Sequence, residues 1–258
     1  MFHDGIRKPT TLWALVLSRK GCSQSDSCKT CALMAMEATV TAVFSFAFDG
    51  KVLLATDTLR VDPGGCFAPR TVEKSYCWKG FVPFGGAGTG AFIRQVAEFM
   101  AVSEADYAAD TTGFRKAFAD GRQTVLDAIE ASNDPKKKAA AHGVVLAAIP
   151  QCSARGEILR LDFSTGEVIV CEGTVFAEGT RPPDFLENAK KVLAEMSGSG
   201  LEADRLALEC MARAVSLCPE HVGWPMDLRV AEASPTGDHK AFHLRLDPRI
   251  PEGFMSLE

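Results

Sequence analysis

The sequence predicts an α+β fold: a four-layer αββα sandwich in which two antiparallel sheets pack face to face and helices cover the outer faces. Three observations predict it. Strand-like segments come in runs of three or four. Helical periodicities come in adjacent pairs and do not alternate with strands, which argues against a parallel sheet. Turn dipeptides such as Asp49-Gly50 and Thr165-Gly166 join neighbouring strands directly.

Taken in order, Val40 to Phe48 is apolar and β-rich, Asp49-Gly50 signals a hairpin, and Val52 to Ala55 is a second buried strand. After the turn at Asp62-Pro63-Gly64-Gly65, Thr71 to Trp78 and Phe81 to Phe84 form a second strand pair. The run Gly85-Gly86-Ala87-Gly88-Thr89-Gly90 is expected to break the sheet and feed a helix near Ala91 to Val102, with Phe92, Val96, Phe99 and Met100 on one face. A second helix near Thr112 to Ser132 places Phe114, Phe118, Val125 and Ile129 at similar spacing. Three strands follow, at His142 to Ile149, Glu157 to Phe163 and Glu167 to Cys171. Helices near Asp184 to Met196 and Glu202 to Leu217 form the second pair, and strands near Met226 to Ala231 and Ala241 to Leu246 close the fold.

Composition narrows the function classes. The 258 residues are 47% apolar and 24% charged, enough for a substantial core, and the net charge of −5 offers nothing to a nucleic acid. Lys136-Lys137-Lys138 reads as a solvated loop. Nine cysteines, an odd number in a long chain, read as reduced thiols of a cytoplasmic protein. Cys22, Cys28 and Cys31 lack a fourth ligand at metal spacing, so no metal is expected. Leu12 to Leu17 is too short for a membrane span or a signal-peptide core, so no membrane partner is expected. The glycine run is not followed by Lys-Ser/Thr and sits among antiparallel strands, which excludes a phosphate loop and leaves no cofactor motif. Residues 1–38 have no sustained period and read as a leader, a propeptide or an over-long start. The domain proper is residues 39–258.

One ordered set of residues carries chemistry. A threonine hydroxyl needs a base, and its own free N-terminal amine, with a pKa near neutrality, can serve. A neighbouring lysine lowers that pKa by like-charge repulsion, a carboxylate holds the lysine, and a backbone N–H stabilises the oxyanion. Thr41 opens the first strand, Asp57 ends the second sixteen residues later, Lys74 lies on the third, and Gly88 follows in the glycine-rich turn fourteen residues after Lys74. Thr39 shares a strand face with Thr41 and follows a smaller residue, Ala38, whereas bulky Val40 precedes Thr41. Spacing to Asp57 favours Thr41, and Gly86 is the second candidate for the oxyanion donor.

TAVFSFAFDGKVLLATDTLRV, then VEKSY, then AGTGAF, resembles the opening of proteasome β subunits and of the peptidase subunit of the bacterial two-component protease. EILRLDFSTGEV is similar to a hairpin of those families, FAEGT sits at their small-residue turn, and CPEHVGWPMDL is similar to the ancestral-β-subunit branch. The resemblance covers about residues 39–231. It implies an N-terminal-nucleophile hydrolase, a peptide or unfolded-protein substrate, and a homo-oligomeric ring or helical stack, with any ATPase partner unspecified. By position it implies Thr41 as nucleophile and base, Lys74 to tune the amine, Asp57 to anchor Lys74, and the Gly88 N–H at the oxyanion. Cys218, His221 and Glu178 stand where proteasomes place an Asp, a Ser and a turn Ser. A silent structural subunit and a small-molecule amidase are the alternatives.

Overall fold

A computed structural model of the chain describes residues 42–60, 70–88, 90–103, 105–152, 154–172, 175–178, 191, 203–219, 222–234, 236, 239–249 and 254–257. Residues 1–38, Thr39, Thr41, His221 and most of the helix expected near Asp184 to Met196 lie outside them.

The first sheet grows from the hairpin at Asp49-Gly50. Gly50 takes φ +68°, the left-handed conformation a tight reversal requires. It joins strand β1 (Val43–Phe48) to β2 (Lys51–Asp57) in antiparallel register, Val43 opposite Thr56. With β10 (Val175–Glu178), β11 (Met226–Ala233), β12 (His239–Leu246) and β13 (Phe254–Leu257) they form a six-stranded sheet of order β10-β1-β2-β11-β12-β13. The second sheet holds β5 (Ser75–Trp78), β6 (Val82–Gly88), β7 (Gly143–Ile149), β8 (Glu157–Asp162) and β9 (Val168–Cys171) in chain order. Two short strands, β3 (Leu59–Arg60) and β4 (Arg70–Thr71), pair with each other between the sheets' first members.

Period-two alternation sorts the side chains into layers. Phe44, Phe46, Leu53, Ala55, Leu228 and Val230 pack against helix α4 (Ala203–Leu217), through Leu206, Ala207, Cys210, Met211 and Ala214. Val82, Phe84, Val145, Ala147, Leu159 and Leu161 pack against the helices α1 (Gly90–Val102) and α2 (Thr111–Ala131). Between the sheets the buried residues are smaller: Val43, Ala47, Val52, Leu54, Ala87, Leu146, Ala148, Ile158 and Ala231. Two antiparallel sheets with helices outside them are the α+β architecture that the order of elements predicts.

Helix α2 begins where Asp110, in extended conformation, accepts the Gly113 N–H at 2.8 Å, satisfying one of the unpaired first-turn donors. Its Phe114 is fully buried, edge-on to Trp78 and Phe84 and stacked with Phe118.

Four expectations are corrected. Strand β6 does not stop at Gly85 but runs through the glycines to Gly88, because close approach from both sides selects glycine there rather than a turn. Phe176, Ala177 and Glu178 of FAEGT, expected at a small-residue turn, lie in strand β10 on β1, since that backbone completes the edge of the sheet. Lys74 precedes β5 rather than lying within a strand. The lysine run falls in a short helix, α3 (Pro135–Ala139), not a loop, with Lys137 and Lys138 exposed.

Replacing Phe114 by Ala removes the hub of the aromatic cluster and should cost about 3–5 kcal/mol in denaturant unfolding. Val102→Ala, on a side chain 77% exposed, should stay within about 0.5 kcal/mol.

Candidate active site

Asp57 closes β2 at the end of the sandwich where β1 begins. Its side chain is fully buried, so every lone pair needs a donor. Its Oδ1 accepts the Ala42 N–H at 3.0 Å and its Oδ2 the Leu59 N–H at 3.1 Å. The backbone adds the reverse bond, Asp57 N–H to the Ala42 carbonyl at 3.1 Å. The carboxylate thereby ties the start of β1 to the end of β2 and to β3.

Lys74 comes to Asp57 by local pairing. Strands β3 and β4 lay residues 70–71 beside 59–60, and the Val72 N–H continues the match onto the Thr58 carbonyl at 2.8 Å. Two residues on, the Lys74 ammonium meets both carboxylate oxygens, Oδ1 at 3.0 Å and Oδ2 at 2.9 Å, and the Leu59 carbonyl at 2.6 Å. Its side chain is only 12% exposed. Burial pushes the Asp57 carboxyl above the usual carboxylate range; the Lys74 charge and hydrogen bond, then the Ala42 and Leu59 N–H groups, pull against it.

The glycines have separate tasks. A Cβ on Gly85 would sit 2.8 Å from the Lys74 carbonyl oxygen, 3.0 Å from Thr56 Cγ2 and 3.2 Å from Leu54 Cδ2. Gly85 thus makes the room in which the Lys74 backbone and β2 approach β6. Gly86 lies mid-strand opposite Val145, where a Cβ would fall 2.6 Å from Ile93 Cδ1 and 2.8 Å from the Val144 carbonyl oxygen. Gly88 ends β6 with φ +113°, opposite Gly143, and a Cβ there would fall 2.6 Å from Gly143 Cα. It stands two residues before the first residue of α1.

Of the residues singled out in sequence, Asp57 and Lys74 are brought into direct contact, and Gly88 is placed at the terminus of β6. Thr41, the residue before Ala42, lies outside the described residues with His221. Cys218 caps α4, its N–H on the Ala214 carbonyl, and packs on the core that includes Ala42. Glu178, opposite Val43 on β10, meets Arg160 Nε of β8 at 2.5 Å, an ion pair that bridges the sheets.

Sequence reasoning missed a set of charges on the inward face of β11 and β12. Fully buried Asp227 receives Arg245 at 2.8 and 3.2 Å and lies 3.4 Å from His243 Nε2. Burial raises its carboxyl, but the neighbouring His243 imidazole and the Arg245 hydrogen bonds and charge win, leaving it below the usual range. Arg229 reaches across to Ser75 and Glu73. The alternation Met226-Asp227-Leu228-Arg229-Val230 was the available signal, a strand with charges on one face.

Lys74→Met leaves Asp57 buried without its counter-charge and should cost about 3–5 kcal/mol at pH 7. A carboxyl whose folded pKa lies above its unfolded value costs stability at pH above that folded pKa and costs nothing below the unfolded value. The gap in melting temperature between variant and wild type should therefore narrow from pH 7 to pH 4; a gap that widens on acidification would contradict the assignment.

No protein-family model matches the chain, and no curated protein does. Among solved structures it is similar to Anbu from Hyphomicrobium sp. strain MC1, in two crystal structures, one of a mutant. Each matches with TM-score 0.60 and 16% identity over 82% of this chain and 89% of that one. Eukaryotic HslV from Trypanosoma brucei matches with TM-score 0.49 and 19% identity over 74% of this chain and 99% of that one. At 16% identity the likeness to Anbu concerns architecture, and in architecture the chain has the proteasome-like N-terminal-nucleophile hydrolase fold.

Proposed function

We propose that the chain is a threonine-type peptidase that acts on peptides or unfolded protein in the cytoplasm, after removal of the residues before Thr41 and self-association into a ring or helical stack. The observation that carries the proposal is the Lys74 ammonium, held by both oxygens of buried Asp57, whose carboxylate also takes the N–H of Ala42. A cation fixed beside the residue that follows Thr41 in sequence is what an amine base at Thr41 needs. It disfavours the ammonium form of that amine by like-charge repulsion.

In the proposed reaction the Thr41 hydroxyl oxygen attacks the scissile carbonyl carbon while its own amine takes the hydroxyl proton. The carbonyl oxygen becomes an oxyanion, which the Gly88 N–H stabilises, aided by the positive N-terminus of α1. Collapse expels the peptide amine, which receives the proton from the Thr41 ammonium, and leaves an ester on Thr41. Water, deprotonated by the amine, then hydrolyses the ester and restores the hydroxyl. Asp57, whose charged form the Lys74 ammonium and the Ala42 and Leu59 N–H groups favour, keeps Lys74 in place.

Bulky Val40 before Thr41 favours a second reading, a silent structural subunit, because it crowds the bond that must break on maturation. One experiment separates the two. Intact-mass measurement of the purified protein should find a species that begins at Thr41, and fluorogenic peptides should be hydrolysed by the wild type and by Thr41→Ser. Thr41→Ala should lose at least a hundredfold in kcat/KM. An unprocessed chain with no hydrolysis points to the silent subunit, and unchanged hydrolysis by Thr41→Ala removes Thr41 from the mechanism.

A further inference from the structure

We infer that Arg229 is a positioning residue for Lys74, a guanidinium from the first sheet that fixes the residues on either side of that lysine where the chain enters β5 of the second. This deepens the proposed function and rests on Lys74 being the group that tunes the amine.

Arg229 stands on β11 opposite Leu54 of β2 and His243 of β12. Its neighbours Leu228 and Val230 pack outward toward α4, so alternation turns Arg229 inward, to the second sheet. There Nε donates to Ser75 Oγ at 2.9 Å, and Nη2 donates to the Ser75 carbonyl at 3.0 Å and to the Glu73 carboxylate at 2.6 Å. The guanidinium side chain is 14% exposed, and Ser75 is fully buried. Residues 73 and 75 are therefore held by one planar group, with Lys74 between them.

The ammonium bonds of Lys74 fix the end of its side chain. Its Nζ is held at the far end of four methylenes, by Asp57 and the Leu59 carbonyl. A terminus anchored at one end of a flexible stem still needs its Cα placed, and the side chain has many rotamers. Gly85, lacking a Cβ, lets β6 close on the Lys74 carbonyl, and Arg229 grips the flanking residues from β11. Together they set where the stem starts, hence how far the ammonium reaches. A lysine at 229 would keep the charge but could not make three bonds in one plane.

The test labels lysines with acetic anhydride in a short pulse on the folded full-length protein and reads each site by mass spectrometry, with exposed Lys116 as internal reference. Lys74 should be protected in the wild type, at least tenfold more reactive in Arg229→Met, and intermediate in Arg229→Lys. Arg160→Met, which breaks a second guanidinium bridge between the sheets, should leave Lys74 protected. Where Arg229→Met does not fold, Glu73→Gln removes one anchor at a half-exposed site and should still raise Lys74 reactivity threefold. In the peptidase assay the Arg229 variants should lose kcat at least tenfold, keep KM within twofold, and move the acid limb of the kcat profile to higher pH, because an amine no longer faced by the lysine holds its proton more tightly. Unchanged protection of Lys74 in a folded Arg229 variant overturns the inference, as does lost protection with an unaltered kcat profile. If the wild type hydrolyses nothing, the peptidase proposal falls and the labelling alone decides whether Arg229 positions Lys74.

Discussion

The ion pair between Asp57 and Lys74 is the constraint around which this end of the molecule is built. A carboxylate without solvent contact cannot stay charged unless donors surround it, and Asp57 gathers donors from β1, β3 and the segment before β5. Each of those segments must then keep its place. The β3–β4 pairing delivers Lys74, the Ala42 N–H fixes the start of β1, and Gly85 leaves space for the lysine's backbone. The pair contributes little net stability after the cost of desolvation. What it supplies is a single geometry, since any other arrangement would leave a buried charge without a partner.

The layer between the sheets follows from the same requirement. It is filled with alanine, valine, leucine and isoleucine and no aromatic ring among its clustered residues, which lets the sheets come close, and bridged by arginine at its flanks. Arg229 crosses from β11 to Ser75 and Glu73, and Arg160 crosses the other way from β8 to Glu178 on β10. Both are guanidinium–carboxylate contacts, and at Arg229 planar multiple bonding holds orientation better than a single ammonium could. Between these flanks lie β1, which Ala42 precedes, and β2, which Asp57 ends. Apolar burial dominates the outer layers against α1, α2 and α4, so the polar chemistry is confined to the inward faces.

Hairpin dipeptides, helical periodicity and the Thr41, Asp57, Lys74 and Gly88 spacing were all legible in the chain. They rest on local rules: Gly50 must turn, Phe114 and Phe118 must share a helix face, and a lysine at a fixed distance along an antiparallel layout can return to an aspartate. The errors share a cause. Gly85 to Gly90 looked like a break because glycine in isolation signals flexibility, whereas here glycine answers to neighbours distant in sequence, Thr56, Val144 and Gly143. Phe176 to Glu178 are expected at a turn rather than in a strand because their strand partner, β1, lies more than a hundred residues earlier. Arg229 and Asp227 passed unnoticed because charges alternating with apolar residues are ordinary on a strand with one wet face.

The sequence by itself determined the class of architecture and the spacing of one acid, one lysine and one glycine, since both follow from short-range periodicity and from distances along single strands and hairpins. Only the tertiary structure decided which charges meet across the sandwich: Lys74 on Asp57, Arg229 on Ser75 and Glu73, Arg160 on Glu178, Arg245 on Asp227. Those contacts depend on how two sheets are stacked and in what register. Stacking is set by the summed shape of many small buried residues, and no window of sequence contains that sum.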